Sequence, residues 1–199
     1  MDPTSSDKLA SRPTVLVTGG GGFLGSAIIE CLVARGDAVR SVSRGEYPNL
    51  ADMGVDQIRG DIGDRQAVEA ACRGVELVFH VAAKPPPWGK YRDYYKTNVT
   101  GTQNVIDGCI RSNISRLVYT STPSVVFDGT DMLGVDESVP YPARFTAFYP
   151  QTKAMAEQAV VAAAQVRDLA HLDQRELGGR EDDDIDLVAP RAERVAQFV

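Results

Sequence analysis

Positive charge is in short supply. Lysine and arginine total 21 against 27 aspartates and glutamates, a net charge of −6. That deficit argues against nucleic acid or an anionic membrane as a main partner, while leaving room for a local basic pocket that holds a phosphate. Long apolar runs are lacking too, and none approaches the length of a membrane span. Residues 1–13 are polar and lack the apolar centre of a signal peptide, so a short disordered lead-in and a cytoplasmic setting are expected. Cysteine is scarce. Cys31, Cys72 and Cys109 are odd in number and follow no metal-ligand spacing, so no metal site is expected. Cys31 and Cys109 fall on apolar helix stripes and are expected to be buried free thiols in a reducing compartment. The rest is ordinary for a globular protein: 43% hydrophobic and 24% charged over 199 residues suits one domain, or one domain with part of a second.

Against this plain background one stretch stands out. Thr14-Val-Leu-Val-Thr18 is a short β-branched run, Gly19-Gly-Gly-Gly22 stops it, and Phe23-Leu24-Gly25 opens an amphipathic segment. The order reads as strand, tight turn and helix N-terminus. Glycines at 19, 22 and 25 let the backbone approach a pyrophosphate and pack the helix closely on the strand. The free N–H groups and positive dipole end of the helix then face the anion. A dinucleotide site is expected here.

The helix after the turn repeats Leu24, Ala27, Ile28, Cys31 and Leu32, with Gly36 as its C-cap. A second strand, Ala38 to Arg44, ends about 20 residues past the turn, where adenosine specificity is usually set. No acidic residue stands there to hold a ribose hydroxyl. Ser43 and Arg44 do instead, a hydroxyl and a cation suited to the 2′-phosphate of NADP. Gln57 to Ile62 reads as a third strand. Asp61 in it either accepts from the adenine amino group or caps the helix from Asp64 to Cys72, or does both. Leu77 to Ala83 is a fourth strand, apolar enough for a sheet covered on both faces. His80 in it is expected to be packed or backbone-bonded rather than an acid–base group, and the small Ala82 and Ala83 let the backbone lie close to a cofactor. Lys84 to Gly89 is a stiff loop carrying Trp88, which either lines a substrate pocket or covers the loop. A helix from about Asp93 to Ser112 follows, with Val99, Thr102, Ile106, Cys109 and Ile110 on one stripe and Asn98 reaching inward. Arg116 to Ser121 is a fifth strand, and a helix opening at Tyr149 runs to about Gln165. This alternation gives a parallel, doubly wound α/β sheet of the Rossmann kind.

Tyr149 and Lys153 are four apart, so they share one helix face. An ordinary phenol titrates near 10 and is a poor proton donor or base at neutral pH. An ammonium beside it stabilises the phenolate and suits the pair to acid–base work. A hydroxyl from Ser121, Thr122 or Ser124 at the neighbouring strand end is placed to hold a substrate carbonyl oxygen.

Taken together, the chain from about Thr14 to Ala164 resembles the extended short-chain dehydrogenase/reductase family. The matching residues are the Thr18-Gly-x-x-Gly22-x-x-Gly25 turn, Gly60-Asp61-Ile62, His80-Val-Ala82-Ala83, Asn98-Val-x-Gly101-Thr102, Ser121-Thr122 and Tyr149-x-x-x-Lys153, in order. Within the family it looks like the branch holding 3β-hydroxysteroid and sterol dehydrogenases. The resemblance implies that Tyr149 is the general acid, that Lys153 binds the nicotinamide ribose and tunes Tyr149, and that Thr122 fills the usual Ser/Thr position with Ser124 as fallback. It implies cofactor contacts from Gly19, Gly22, Phe23, Leu24, Gly25, Ser43, Arg44, Asp61, Ile62, Ala82, Ala83, Asn98 and Lys153, with His80 on the cofactor side. The implied reaction is hydride transfer between NADP(H), preferred over NAD(H), and a small-molecule ketone or secondary alcohol. A homodimer is left open.

The family continues past the Tyr-Lys helix with a sixth strand and a substrate lobe. Here residues 166–199 are strongly charged, without lysine and without a sustained apolar period, so an atypical charged tail is expected after a nucleotide domain at 14–165. Ile185 to Val188 is a candidate remnant of the sixth strand. Two further readings stay open: a nucleotide-binding module without turnover, and a nucleotide-sugar epimerase or dehydratase.

Overall fold

The computed structural model describes residues 14–136 and 138–177. The lead-in at 1–13, the candidate strand at 185–188 and the end of the charged segment lie outside the described residues. Five strands form one parallel sheet: β1 (Thr14–Thr18), β2 (Ala38–Ser43), β3 (Asp56–Arg59), β4 (Leu77–His80) and β5 (Arg116–Tyr119). Their spatial order is β3-β2-β1-β4-β5. The order reverses on either side of β1, and open α/β sheets bind ligands at such a switch point, outside the carboxyl ends of the strands. The third and fourth strands are shorter than the sequence pattern predicts. Past Arg59 and His80 the chain leaves the ladder at the sheet edge that carries the site.

Period-two alternation sorts the core. Leu16, Val42 and Val78 point to one face, where α3 (Arg65–Cys72) and the helix Gly101–Arg111 bring Val68, Ala71, Cys72, Val105 and Cys109. Val15, Val17 and Val39 point to the other, under Ile29 and Leu32 of α1 (Phe23–Arg35) and Leu50 of α2 (Pro48–Asp52). Each fully buried Val or Leu contributes roughly 1.5–3 kcal/mol over exposure.

Three helix expectations are corrected. In α1 the buried residues are Gly25, Ile29 and Leu32, so of the expected stripe Leu24, Ala27, Ile28, Cys31 and Leu32 only Leu32 is buried, and Cys31 is exposed. Gly25 lies against the glycine turn, and that contact sets the rotation of the whole helix about its axis. The long helix is interrupted. It runs as α4 (Tyr91–Tyr94), a π-helical segment Tyr95–Thr100 and α5 (Gly101–Arg111). The wider π turn brings Asn98, Thr102, Val105, Ile106 and Cys109 inward and leaves Ile110 outside at 64% exposure. Helix α6 spans Phe148–Leu177, twelve residues beyond the expected end at Gln165. The extension lacks apolar period, yet no glycine or proline falls between Pro150 and Gly178, and most of its residues favour helix. No helix among the described residues is long and apolar enough to cross a membrane.

Candidate active site

The carboxyl edge of the sheet lays out the expected residues in one row. Gly19 sits at its centre with φ +75°, and a Cβ on it would lie 2.9 Å from the Ala82 Cα after β4. Its N–H donates to Val42 O at 3.0 Å, which ties the turn to β2. Gly22 is the N-cap of α1 and uses no side-chain cap, so the first N–H groups of the helix face outward, with no acidic residue in the first turn. A Cβ on Gly25 would collide with the Gly19 carbonyl. Phe23 is 96% exposed and Leu24 is 40% exposed, so neither packs into the core.

On one side of the turn lie Ser43 and Arg44. The Ser43 hydroxyl is buried without a hydrogen-bond partner, and Arg44 is exposed at the same corner. Asp61 accepts from Lys96 Nζ at 2.6 Å and from Gly63 N at 2.9 Å. The Lys96 hydrogen bond first, then Gly63 and the charges of Lys96 and Arg44, hold its carboxyl below the usual range despite partial burial. The capping alternative for Asp61 is overturned. Asp64 caps α3, its carboxylate accepting from Gln66 N at 2.9 Å. Ile62 places its side chain in the core, with its carbonyl held by Asn104 Nδ2 at 2.8 Å.

On the other side, a chain of hydrogen bonds runs from the turn to α6. Val81 N and Ala82 N donate to Thr18 Oγ1, both at 3.1 Å. Thr18 Oγ1 lies 2.7 Å from His80 Nδ1, and His80 Nε2 lies 2.9 Å from Thr102 Oγ1. The Thr102 hydroxyl spends its proton on Asn98 O at 2.6 Å, so it must accept from Nε2–H. Nδ1 is therefore the acceptor for Thr18. Burial pushes the imidazole down to about 3, with the Lys153 charge a lesser cause, which keeps it neutral. His80 is a packed residue, as expected. The Asn98 carboxamide accepts from Lys84 N at 2.7 Å and donates to Thr152 Oγ1 at 3.0 Å.

Beside Thr152 stands Lys153, 4% exposed, donating to Thr120 O at 2.6 Å with its Nζ 4.2 Å from the centre of the Tyr119 ring. Burial lowers its ammonium to about 8, and the charge of Glu157 works in the opposite direction. Tyr149 lies one turn earlier on α6 and is half-buried. Thr122 Oγ1 and Ser124 Oγ sit 3.1 Å apart at a 3₁₀ turn (Pro123–Val125), so the hydroxyl expected at the strand end is a pair. Ser121 is removed from that role because its hydroxyl donates to Glu157. Trp88 is 84% exposed, so it does not cover the loop.

Two features escaped the sequence reading. Tyr47 lies over Gly21, where a Cβ would run into its ring. Gln57 clamps Tyr47 in place, accepting from its N–H at 2.9 Å and donating to its carbonyl at 3.0 Å. Glu157 is 9% exposed and also accepts from Tyr141 O–H at 2.7 Å. The signal for it was present as the spacing Tyr149, Lys153, Glu157, which sets an acidic residue on the buried face of α6.

A glycine turn at the switch point of a 3-2-1-4-5 parallel sheet, with a Tyr-x-x-x-Lys helix against β5, defines a Rossmann-like domain of the extended short-chain dehydrogenase/reductase class. Residues 16–173 match the 3-beta hydroxysteroid dehydrogenase/isomerase family, and the chain belongs to that family. It is 55% identical over 152 residues to a 2-alkyl-3-oxoalkanoate reductase of Stenotrophomonas maltophilia (strain K279a), covering 75% of this chain and 46% of that protein. The enzyme of that name from Shewanella oneidensis is 44% identical over 165 residues, covering 82% and 43%. The chain thus spans less than half the length of these curated relatives. Among solved structures, a short-chain dehydrogenase/reductase superfamily protein from Agrobacterium tumefaciens with bound NAD superposes with a TM-score of 0.68 at 27% identity, covering 76% of this chain and 45% of that one. A Thermus thermophilus UDP-glucose 4-epimerase in complex with NAD gives 0.66 at 31% identity, covering 77% and 51%.

Proposed function

We propose that this chain carries the nucleotide-binding and proton-donating half of an NADP(H)-preferring ketoreductase acting on a 3-oxo acyl or sterol-like ketone. The observation that carries the reading is Lys153. It is buried on the same helix face as Tyr149 and bonded to the strand end that bears Thr122 and Ser124, in the same edge as the Gly19 turn. The residues fit a nicotinamide dinucleotide: any side chain at Gly19 or Gly25 fills the cradle, and the unpartnered Ser43 hydroxyl and the exposed Arg44 at the end of β2 would hold its adenosine end. The cofactor, when bound, supplies the hydride that turns the ketone carbon into a secondary alcohol. Thr122 and Ser124 hold the carbonyl oxygen by their hydroxyls. Tyr149 donates its phenolic proton to the alkoxide as it forms. Lys153 stabilises the negative charge left on the phenol oxygen and binds the ribose hydroxyls. The family relatives named as ketone reductases support the substrate class, and a cytoplasmic setting suits the chemistry.

Thermal unfolding with NADP and with NAD tests the first half of this reading, since a ligand that binds only the folded state raises apparent stability. NADP is expected to give the larger shift. Arg44→Ala is expected to weaken NADP roughly 10- to 100-fold, the loss of a charge-assisted contact to phosphate, and to leave NAD nearly unchanged. The second half rests on Tyr149→Phe, expected to cut reduction of a 2-alkyl-3-oxoalkanoate by a factor of about 10² or more with NADP binding intact. Equal response to both cofactors in wild type and Arg44→Ala sinks the NADP preference, and full turnover in Tyr149→Phe sinks the proton donor.

A further inference from the structure

We propose that Glu157 is a positioning residue of the Tyr149–Lys153 site: its buried carboxylate joins the hydroxyl-bearing end of β5 and the Tyr141 loop to α6 and sets an acidic group one helix turn from Lys153. The inference rests on the reading of that pair given above and assigns a role to a residue outside it.

Geometry comes first. Tyr149, Lys153 and Glu157 follow one another at four-residue spacing on a single face of α6, each about 6 Å further along the axis. Glu157 is 9% exposed, and its two oxygens are divided. One accepts from Ser121 Oγ, immediately before the Thr122–Ser124 pair. The other accepts from Tyr141 O–H at 2.7 Å, on the segment that leads from β5 to α6. A single side chain thus fixes strand end, loop and helix. Removing either hydrogen bond loosens the tie between α6 and the chain that carries the Thr122–Ser124 pair.

Electrostatics follows from the same placement. The groups around Lys153 are His80 from β4, Tyr119 from β5, Tyr149 and Glu157 from α6, and Tyr141 through Glu157. His80 is held neutral by burial, and burial first, then the Glu157 charge, pushes the Tyr119 phenol upward, so it too stays neutral. Among the described residues Glu157 is the anion that opposes the desolvation of Lys153. Without that charge the ammonium would lose its proton at lower pH, and a neutral amine stabilises no phenolate.

The test titrates Lys153 itself in the full chain, by NMR of its side-chain Cε–Hε groups, assigned with Lys153→Arg. Wild type is compared with Glu157→Gln, which keeps shape and removes charge, and with Tyr141→Phe, which removes one hydrogen bond and keeps the charge. The Lys153 midpoint is expected to fall by about one pH unit or more in Glu157→Gln and to hold in Tyr141→Phe. Tyr141→Phe is expected instead to speed amide exchange at Ser124, Val125 and Val126 by roughly fivefold, the loss of one net hydrogen bond. An unchanged midpoint in folded Glu157→Gln overturns the proposal. Should that variant fail to fold, unchanged exchange in Tyr141→Phe overturns it and faster exchange supports it. Tyr149→Phe separates the two readings. If it retains turnover while Lys153 still answers to Glu157, the assignment of the proton donor has failed and the role of Glu157 toward Lys153 stands.

Discussion

At the scale of single residues, the site depends on atoms that are missing as much as on atoms that are present. Gly19 combines φ +75° with a neighbouring backbone 2.9 Å from where a Cβ would stand, so two penalties act at once. Left-handed backbone costs a non-glycine residue about 1–2 kcal/mol, and the clash adds to it. Gly19→Ala is therefore expected to destabilise the fold by at least ~1–2 kcal/mol in urea denaturation and to weaken NADP more than it weakens the fold. The glycine pattern was legible in the sequence because a turn this tight admits few other residues. Tyr47 was not, because what marks it is the space above Gly21, and spatial neighbours leave no trace in spacing.

At the scale of elements, the joints between segments matter more than the segments. The strands and their order of appearance could be read from β-branched runs, and Gly36 closes α1 in the left-handed conformation expected of it. The face that α1 buries could not, since it is set by contact with a turn rather than by hydropathy. The π segment escaped for a similar reason. Its register shift serves Asn98, whose carboxamide links the loop after β4 to α6. Asn98→Ala leaves the Lys84 N–H without its acceptor and takes the Asn98 donor from the Thr152 hydroxyl, which still donates to Phe148 O within α6. A loss of ~1–3 kcal/mol is expected for the stranded N–H, measured by chemical denaturation. Reduced turnover with nearly unchanged protein content would show the link between the two halves of the site.

At the scale of the whole molecule, acid reaches the fold through its interior. His80 takes up a proton near 6.5 when unfolded and only near 3 when buried, so the unfolded chain binds more protons between those values. Its contribution is complete above about pH 6.5 and is lost as pH falls toward 3, at ~1.4 kcal/mol for each unit. Stability measured between about pH 7 and 5 is expected to fall in wild type and to stay flatter in His80→Gln; equal slopes would sink this account. The same histidine has a consequence of another kind. Thr18 gives a proton to His80, His80 gives one to Thr102, and Thr102 gives one to the backbone at Asn98. Every bond in this thread points the same way, and the carbonyl at its end has no proton to return. No member can reverse alone, because a turned hydroxyl would leave two donors facing on one side and two acceptors on the other. This thread therefore has a fixed polarity, directed from the glycine turn across β4 to the π-helical segment.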